Sequence, residues 1–218
     1  MSFCFFAPEG YPYFALFGAL SVLVWLAWGW PFAVLPMLLA AFMFYFFRDP
    51  ERSTPDEDIY GYVSPADGKI IVAEVTREEK YLEKEATLIS IFMSPLDVHV
   101  NRSPCDCRVV SSEYHKGSFR SAFREQAFRK NEHISTVLEE DDGTRLLVRQ
   151  VAGSIAQKPV FRKGPGDALK RGQRFGIIKF SSRVDVYLPP DVRLSVSVGD
   201  RVRAGESILA RKAMEIKK

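Results

Sequence analysis

The chain begins with a long apolar stretch, since no Asp, Glu, Lys or Arg occurs between Glu9 and Arg48. A run of this length exceeds the roughly 20 residues that cross a bilayer as one helix. It lacks the basic start of a secretory signal peptide and is too long for one. Nearly all charges follow, so we expect a membrane anchor over residues 1–50 and one folded domain over residues 51–218, a size that supports a hydrophobic core.

Gly29-Trp-Pro31 interrupts the apolar stretch near its middle. It leaves two halves, residues 11–28 and 32–47, each at the short end of what crosses a bilayer. A tight helical hairpin and a single tilted span both fit, and we favour the hairpin. The absence of charge argues against a buried hairpin of a soluble protein. Arg48 and Arg52 follow directly, which places the folded domain on the cytoplasmic side of the cell (inner) membrane, beside an anionic leaflet.

The remainder of the chain shows short β-prone runs separated by turn signals. Apolar residues predict strands over residues 69–75, 87–93, 108–113, 134–138 and 145–151. Residues 119–129 have the apolar spacing of a helix. We therefore predict a mainly β fold, a barrel-sandwich-like domain with one or two short helices.

A weak internal repeat supports this fold class. Gly166-Asp-Ala-Leu-Lys-Arg-Gly172 and Gly199-Asp-Arg-Val-Arg-Ala-Gly205 share one pattern, and each precedes an apolar strand. Paired turns of this kind are typical of barrel-sandwich folds that resemble biotinyl and lipoyl carrier domains. Those carriers modify a lysine at a hairpin tip, and the best tip here holds no Met-Lys-Met-like lysine. The repeat therefore indicates a fold and not a carrier function.

The cysteines argue against a disulfide framework and against a metal site. Cys4 precedes the apolar stretch, and Cys105 and Cys107 are too close in sequence to pair easily, which suits a reducing compartment. A zinc site would recruit His99 with the latter two, but the Cys-x-Cys spacing lacks a second pair of ligands. The net charge is only +3. We expect neither a bound metal nor a nucleic-acid partner.

The stretch from Phe175 to Pro189 reads as a strand, an interruption and a second strand, with Ser181-Ser182 in the interruption. A solvent-facing kink or bulge is the ordinary interpretation of such a pair. A hydrolase triad of Ser182, His99 and Asp67 lacks the nucleophile-elbow motif. A membrane peptidase of the Ser/Lys type would need its serine close behind the membrane segment, and this serine lies near the other end.

The remaining chemistry uses the serine's own peptide bond. If Ser182 Oγ attacks the Ser181 carbonyl carbon, the amide becomes an ester, and elimination splits the chain to leave a dehydroalanine. Loss of ammonia then gives a pyruvoyl group. This route needs a base near the hydroxyl, a donor near the carbonyl, a small preceding residue and a strained turn. The resulting ketone forms a Schiff base with an amine and serves as an electron sink, so no pyridoxal phosphate is needed.

Several ordered motifs extend over nearly the whole chain and resemble the phosphatidylserine decarboxylase family, short bacterial and archaeal type. They are Phe46-Phe-Arg-Asp-Pro50, Ser64-Pro-Ala-Asp-Gly68, Met93-Ser-Pro-Leu-Asp-Val-His-Val-Asn-Arg102, Arg149-Gln-Val-Ala-Gly153 and Arg171 to Pro189. The resemblance implies a membrane-associated proenzyme that cuts itself before a serine. It implies conversion of phosphatidylserine in an anionic membrane to phosphatidylethanolamine and CO2. A homo-oligomer is compatible with the sequence.

The resemblance also implies roles for individual residues. Ser182 becomes the pyruvoyl group, so that residues 1–181 form the β chain and residues 182–218 the α chain. Asp67 matches the aspartate of self-cleavage, and His99 matches the histidine that handles the proton of decarboxylation. Arg102 stands where long bacterial members carry a second histidine, so His99 or His115 is left as the self-cleavage base, and Arg102 becomes a candidate for substrate binding. His133 reads as a surface or helix-cap residue.

Two departures from the family pattern affect these expectations. Ser181 stands where Gly is usual, and Gly tolerates strained backbone angles that Ser does not. We expect slower cleavage, with an uncleaved zymogen as the alternative. Ala156-Gln-Lys158 stands where two arginines are expected, so Lys158 would bind a substrate phosphate or carboxylate without a bidentate fork. From another class, a non-catalytic, membrane-anchored barrel-sandwich adaptor also fits the anchor and the β domain.

Overall fold

The structure is a computed structural model that describes residues 5–55, 60–117, 131–153, 157–180 and 182–213. Internal contacts divide the chain into two units, Met1–Glu51 and Arg52–Lys218. The assignment of these units as membrane anchor and catalytic domain stays a prediction.

The first unit is a helical hairpin, as favoured from the sequence. After a short 3-10 turn at Pro8–Gly10 come helix α1 (Tyr11–Trp28) and helix α2 (Trp30–Phe46). Gly29 joins them with φ at 91°, a conformation that costs glycine little and lets the chain reverse in one residue. Ser21 Oγ of α1 donates to the Ala33 carbonyl oxygen of α2 at 3.1 Å.

The open end of the hairpin is closed by main-chain bonds. The Ala7 N–H donates to Phe47 O at 2.7 Å, and the Asp49 N–H donates to Phe5 O at 2.8 Å. Within the described residues, one helical stretch, Pro8–Trp28, is long and apolar enough to cross a membrane, and Trp30–Phe46 is a shorter apolar helix. These lengths and compositions suit membrane association.

The second unit is built from β-strands. Within the described residues they are β1 (Gly61–Val63), β2 (Gly68–Glu78), β3 (Lys84–Met93), β4 (Val100–Arg102), β5 (Cys107–His115), β6 (His133–Glu139), β7 (Arg145–Ala152), β8 (Gln157–Phe161), β9 (Ala168–Leu169), β10 (Arg174–Lys179), β11 (Ser182–Leu188), β12 (Arg193–Leu194), β13 (Arg201–Val202) and β14 (Ile208–Arg211). The five strands predicted over residues 69–75, 87–93, 108–113, 134–138 and 145–151 are present, and each is longer than predicted. The predicted helix over residues 119–129 lies outside the described residues.

The strands form one large and two small antiparallel sheets. The large sheet has the order β13-β2-β3-β11-β7-β6-β5-β9 and curls into a half-barrel. The small sheets have the orders β1-β14-β12 and β4-β10-β8. Alternate residues of the central strands, among them Ile91, Val148 and Val184, fill the core. The predicted mainly β, barrel-sandwich-like fold is confirmed.

The two halves of this unit are copies of one motif. The strand order of the large sheet is symmetric about its centre. Counted inward from the two edges, β13, β2, β3 and β11 correspond to β9, β5, β6 and β7. The small sheets then correspond as well, because β1, β14 and β12 match β4, β10 and β8. In chain order the copy β4–β10 is inserted between β3 and β11 of the other copy. The weak sequence repeat is therefore part of a nested duplication.

Corresponding turns repeat their hydrogen bonds. In Ser64-Pro-Ala-Asp67 and in Ser103-Pro-Cys-Asp106 the serine Oγ donates to the carbonyl oxygen two residues on, at 2.7 and 2.8 Å. Each aspartate Oδ1 then accepts a main-chain N–H from a Gly-Asp turn, from Ala204 and from Arg171, both at 2.7 Å. The Gly-Asp turns and the Ser64–Gly68 motif were apparent in the sequence, whereas the match between the Ser64 and Ser103 turns was not.

Gly68 packs too tightly for any side chain, which gives a test of the fold. A Cβ at Gly68 would collide with Phe92 O, whereas a Cβ at Gly143 would meet nothing within 4 Å, and φ is positive at both. We expect Gly68→Ala to lower the free energy of unfolding by about 3 kcal/mol or more. Gly143→Ala, the control, should cost about 1 kcal/mol for its backbone conformation alone. Thermal unfolding of the full chain in detergent, followed by circular dichroism, measures both, and equal losses would contradict the packing at Gly68.

Candidate active site

Four neighbouring strands of the large sheet begin or end at the same end of the half-barrel. Strand β2 begins at Gly68, β3 ends at Met93, β11 begins at Ser182 and β7 ends at Ala152. Ser182 pairs with Met93 on one side and with Ala152 on the other. Asp67 directly precedes β2, two strands from β11, which separates its main chain from that of Ser182 by about 10 Å. The fold therefore brings two of the predicted site residues to one end of the sheet.

The chain changes sheets directly before Ser182. Strand β10 belongs to a small sheet, whereas β11 lies in the centre of the large one. Between them Phe180 has φ at 64°, in the left-handed region that costs a non-glycine residue about 1–2 kcal/mol. The predicted interruption of the strand is confirmed and carries backbone strain. Ser181 lies outside the described residues.

Ser182 is fully buried, and its side chain faces the core. Its Oγ donates to Met93 Sδ at 3.4 Å. A thioether sulfur is a weak acceptor and cannot take up the proton, so a base must come from another side chain. The Ser182 hydroxyl is thus held in an apolar setting without being activated by its bonding partner.

A buried pair of side-chain amides lies next to Met93, the residue that accepts the Ser182 hydrogen bond, and it was not predicted from the sequence. Gln150 Nε2 donates to Asn101 Oδ1 at 2.8 Å, and Asn101 Nδ2 lies 3.9 Å from Met93 Sδ. Both amides are at most 1% exposed. Each residue falls inside a motif quoted for the family resemblance, and a polar residue within an apolar strand was the available signal.

His99 lies beside the segment that leads to Ser182. Its main-chain oxygen accepts the Ile178 N–H at 3.3 Å, and its side chain is fully buried. Nδ1 lies 2.9 Å from Asp97 O. A carbonyl oxygen can only accept, so the proton is on Nδ1 and the lone pair of the neutral ring is on Nε2. This tautomer suits a residue that accepts or returns a proton.

Asp67 is a nearly buried carboxylate with a partner on each oxygen. Oδ1 accepts the Ala204 N–H, and Oδ2 accepts from Arg52 Nη2 at 2.8 Å. Burial raises the pKa of Asp67 above its usual range, while the Ala204 N–H and the Arg52 guanidinium act to lower it. The Arg52 side chain is only 10% exposed, because its guanidinium bonds Asp67 and Glu206, and its attraction to an anionic leaflet stays a prediction.

The two residues suggested for substrate binding lie on different strands. Arg102 is 5% exposed, and its Nη1 donates to Gly172 O at 3.1 Å. Lys158 lies on β8, and its side chain lies outside the described residues. Substrate binding by either residue stays a prediction.

The structure does not bring His115 to Ser182. His115 is the last residue of strand β5 and pairs with His133 on β6, and their stacked rings have centroids 4.7 Å apart. His133 is likewise a strand residue and not a helix cap. His133 pairs with Val151 on β7, and Val151 pairs with Arg183 on β11. Residues paired in this way lie on one face of the sheet, so both histidines are on the face of Arg183, opposite the Ser182 side chain. Three strand spacings, about 14 Å, separate His115 from β11.

Arg183 fixes the start of β11 on the face opposite Ser182. Its Nε donates to Asp185 Oδ1 at 2.5 Å and its Nη2 to Ser90 Oγ at 2.8 Å. The Arg183 and Asp185 side chains are at most 3% exposed. The alternation of charged and apolar residues made this face look solvated from the sequence, and the pair was missed.

Among the described residues, no group of three or more His, Cys, Asp or Glu side chains is arranged to hold a metal ion. Cys105 and Cys107 are free thiols packed in the hydrophobic core. What the described site offers is a buried serine after a strained junction, a histidine beside that junction and a carboxylate at the same sheet end. Such a constellation suits chemistry on the chain itself and proton transfer.

Comparison with known proteins identifies the class. A family model described as phosphatidylserine decarboxylase matches residues 39–210. A relative from Desulfotalea psychrophila, named phosphatidylserine decarboxylase proenzyme, is 48% identical over 206 residues, which cover 94% of this chain and 95% of the relative. Relatives of the same name from Syntrophotalea carbinolica and Salinibacter ruber are 46% and 43% identical, covering 93% and 89% of this chain and 94% and 86% of their own.

The fold and the comparisons together define a β-sheet enzyme of the decarboxylase class. The chain belongs to the phosphatidylserine decarboxylase family. The family and the enzyme class predicted from the sequence motifs are confirmed.

The Arg183–Asp185 pair gives a test of the site's rigidity. Asp185→Asn leaves a buried guanidinium without its carboxylate, and we expect a loss of about 3–5 kcal/mol in the free energy of unfolding. Glu139→Gln is the control, because its 2.6 Å pair with Arg145 is exposed by 35% and 53%, and such pairs contribute about 1 kcal/mol or less. Denaturant unfolding of the full chain in detergent measures both, and a small loss for Asp185→Asn would contradict a rigid β11.

Proposed function

We propose that this chain is a proenzyme that cleaves itself before Ser182 and then decarboxylates phosphatidylserine to phosphatidylethanolamine. The observation that carries the proposal is the strained Phe180, placed at the junction of two sheets directly before the Ser181–Ser182 bond. The printed names of the relatives, phosphatidylserine decarboxylase proenzyme, support both the substrate and the precursor form. Together they favour an enzyme over a non-catalytic membrane adaptor.

Maturation rearranges one peptide bond. Ser182 Oγ adds to the Ser181 carbonyl carbon as its proton passes to a base, and the C–N bond breaks to give an ester. Removal of the Ser182 α-proton then expels the Ser181 carboxylate and leaves a dehydroalanine. Its imine tautomer is hydrolysed by water, which releases ammonia and leaves the pyruvoyl ketone. Breaking the bond frees Phe180 from its left-handed conformation, so backbone strain favours the reaction. Asp67, at the same sheet end, is the carboxylate we assign to this step.

The surroundings of Ser182 fit a pyruvoyl group. The methyl group that replaces the serine hydroxymethyl side chain would face Met93 Sδ, an apolar neighbour that suits it. Pairing with Met93 and Ala152 on either side holds the new chain end in place. Arg183, bonded to Asp185 and Ser90, fixes the next residue. The small chain, residues 182–218, therefore stays attached to the large one after cleavage.

Decarboxylation needs an electrophile, which the pyruvoyl group would supply, and a proton donor, which the protein would supply. The pyruvoyl ketone supplies an electrophile that binds the substrate amine and accepts the electrons released with CO2. The protein must return a proton to the α-carbon, and we assign this to His99, whose Nδ1 is tied to Asp97 O and whose Nε2 is the basic atom. The substrate lies in a bilayer, and the apolar hairpin suits an anchor that keeps the second unit on the cytoplasmic side of the inner membrane.

Intact mass spectrometry and a denaturing gel test the proposal. We expect wild-type protein to give two bands, with a C-terminal fragment that begins at residue 182 and is blocked to Edman degradation. Ser182→Ala removes the nucleophile and should give one uncleaved chain. Ser181→Gly relieves backbone restriction and should speed cleavage. A fragment that begins at residue 118 or 154, each the serine of a Gly-Ser pair, would assign the chemistry to a different serine.

Borohydride reduction separates an enzyme from an adaptor or an uncleaved zymogen. With phosphatidylserine present, reduction should attach the lipid to the 182–218 fragment. A single chain without a reactive carbonyl would support the adaptor or the zymogen. Cleavage of the Ser181→Gly variant alone would then favour the zymogen, and labelling of wild-type protein by a fluorophosphonate probe would instead indicate a serine peptidase.

His99→Ala should separate maturation from turnover. We expect the variant to cleave its chain but to lose decarboxylation by about 10²–10⁴-fold, the usual contribution of a positioned proton donor. His115→Ala is the control, because His115 lies on the opposite face of the sheet, and it should retain both activities. Gels measure cleavage, and released CO2 measures turnover. Loss of cleavage in His99→Ala would make His99 the maturation base.

A further inference from the structure

The internal duplication supplies a comparison for Asp67 within the same chain. Asp106 occupies the same place in the second copy, and its Oδ1 accepts the Arg171 N–H at the same 2.7 Å. Its other oxygen lies 3.9 Å from Lys170 Nζ, and these side chains are 63% and 83% exposed. The turn therefore gives either aspartate one main-chain donor. Burial and the Arg52 guanidinium are what distinguish Asp67.

Arg52 does not belong to either copy. It lies in the linker before β1, and its two terminal nitrogens join two carboxylates, Asp67 Oδ2 at 2.8 Å and Glu206 Oε2 at 3.0 Å. A planar guanidinium that bonds two carboxylates has one fixed orientation. The contact is therefore an addition to the duplicated fold, present at the aspartate that lies near Ser182.

The linker around Arg52 is itself held on the β-sheet unit. Arg171 Nη1 donates to Gly61 O at 3.0 Å, and its Nη2 donates to Pro55 O. Thr54 packs so closely on Gly172 that a Cβ there would collide with Thr54 Oγ1. Because the main chain on the C-terminal side of Arg52 is fixed, little side-chain freedom remains to be lost when the guanidinium meets Asp67.

The charges around Asp67 determine how it responds to loss of Arg52. Asp97, on the loop after β3, raises the pKa of Asp67, and Arg201 pairs with Asp97 at 3.3 Å. Among the described residues, the charged side chains linked to this carboxylate directly or through neighbouring ion pairs are Arg52, Asp97, Glu206, Arg201 and Arg203. Of these, Arg52 forms the ion pair with the Asp67 side chain. Without Arg52 the buried carboxylate would keep the Ala204 N–H and little else that favours its charge.

We propose that Arg52 is a positioning residue for maturation, which holds Asp67 ionised and oriented at the sheet end where β11 begins. The inference rests on the proposed self-cleavage before Ser182. It adds that cleavage depends on a linker residue that acts through its contact with the Asp67 carboxylate. It also makes cleavage sensitive to pH through Asp67, because only the ionised carboxylate can accept the proton.

The sign of the pH effect follows from the charge of the partner. Removing the cation raises the pKa of Asp67, so a larger fraction is protonated at a given pH. Below the new pKa, the ionised fraction falls about tenfold for each unit by which the pKa rises. The acid limb of the cleavage profile therefore moves to higher pH in Arg52→Gln.

The experiment follows cleavage of the full chain, synthesised in a cell-free system with liposomes and then moved to buffers of pH 6 to 9. We expect Arg52→Gln to cleave about tenfold more slowly at pH 7 and to recover at pH 9. Arg52→Lys keeps a positive charge and should recover most of the rate at pH 7. Lys170→Gln removes the matching cation beside Asp106 and should cleave like wild type.

Each outcome decides between the two proposals. Equal rates for Arg52→Gln and wild type at every pH would overturn the role of Arg52 and leave self-cleavage intact. An equal slowing at all pH values, without rescue by lysine, would show a structural role and also overturn it. A wild-type chain that stays whole would overturn self-cleavage, and this inference with it.

Discussion

Strand β11 is the element on which the rest of the structure depends. It is paired with β3 on one side and β7 on the other, so it occupies the centre of the large sheet. Its alternate residues Val184, Val186 and Leu188 belong to the core, and Arg183 and Asp185 form a buried pair on the other face. A chain end at the first residue of such a strand is held by main-chain bonds on both sides and by side chains on both faces. A reactive group can therefore be placed there with little freedom to move.

The nested duplication explains why strain collects directly before this strand. In one copy the connection from β6 to β7 is a tight turn around Gly143. In the other copy the matching connection, from β3 to β11, contains the whole inserted motif. The chain must return from β10, which belongs to the inserted copy's small sheet, to β11 in the large sheet. Phe180 makes that return with a positive φ. The strained conformation of Phe180 is thus a consequence of topology, and the proposed self-cleavage would take place where the fold already requires an unusual backbone.

Local patterns predicted much of this from the sequence. Apolar periodicity located the strands and the helical hairpin, and motif order located Ser182, because both depend on neighbours in sequence. The contacts that give the site its properties are long-range and were not predictable in that way. Arg52 reads as a juxtamembrane lipid contact, yet it bonds Asp67 and Glu206. His115 lies beyond the strand predicted over residues 108–113, yet pairing with His133 extends β5 to include it. Burial of Arg183 depends on which residues cover that face of the sheet, which alternation along one strand does not reveal.

The pair Asp67 and Asp106 shows how a duplicated fold acquires a site in one copy. Both aspartates follow a Ser-Pro-x turn, and both accept one main-chain N–H at 2.7 Å. A carboxylate exposed to water beside a lysine is an ordinary surface charge. The same carboxylate, when buried, has a pKa that burial raises and that the Ala204 N–H and the Arg52 guanidinium act to lower. The linker supplies the Arg52 contact, so the segment before β1 belongs to the maturation site that we propose. Loss of the contact would leave the duplicated fold intact, and burial alone would then distinguish Asp67 from Asp106.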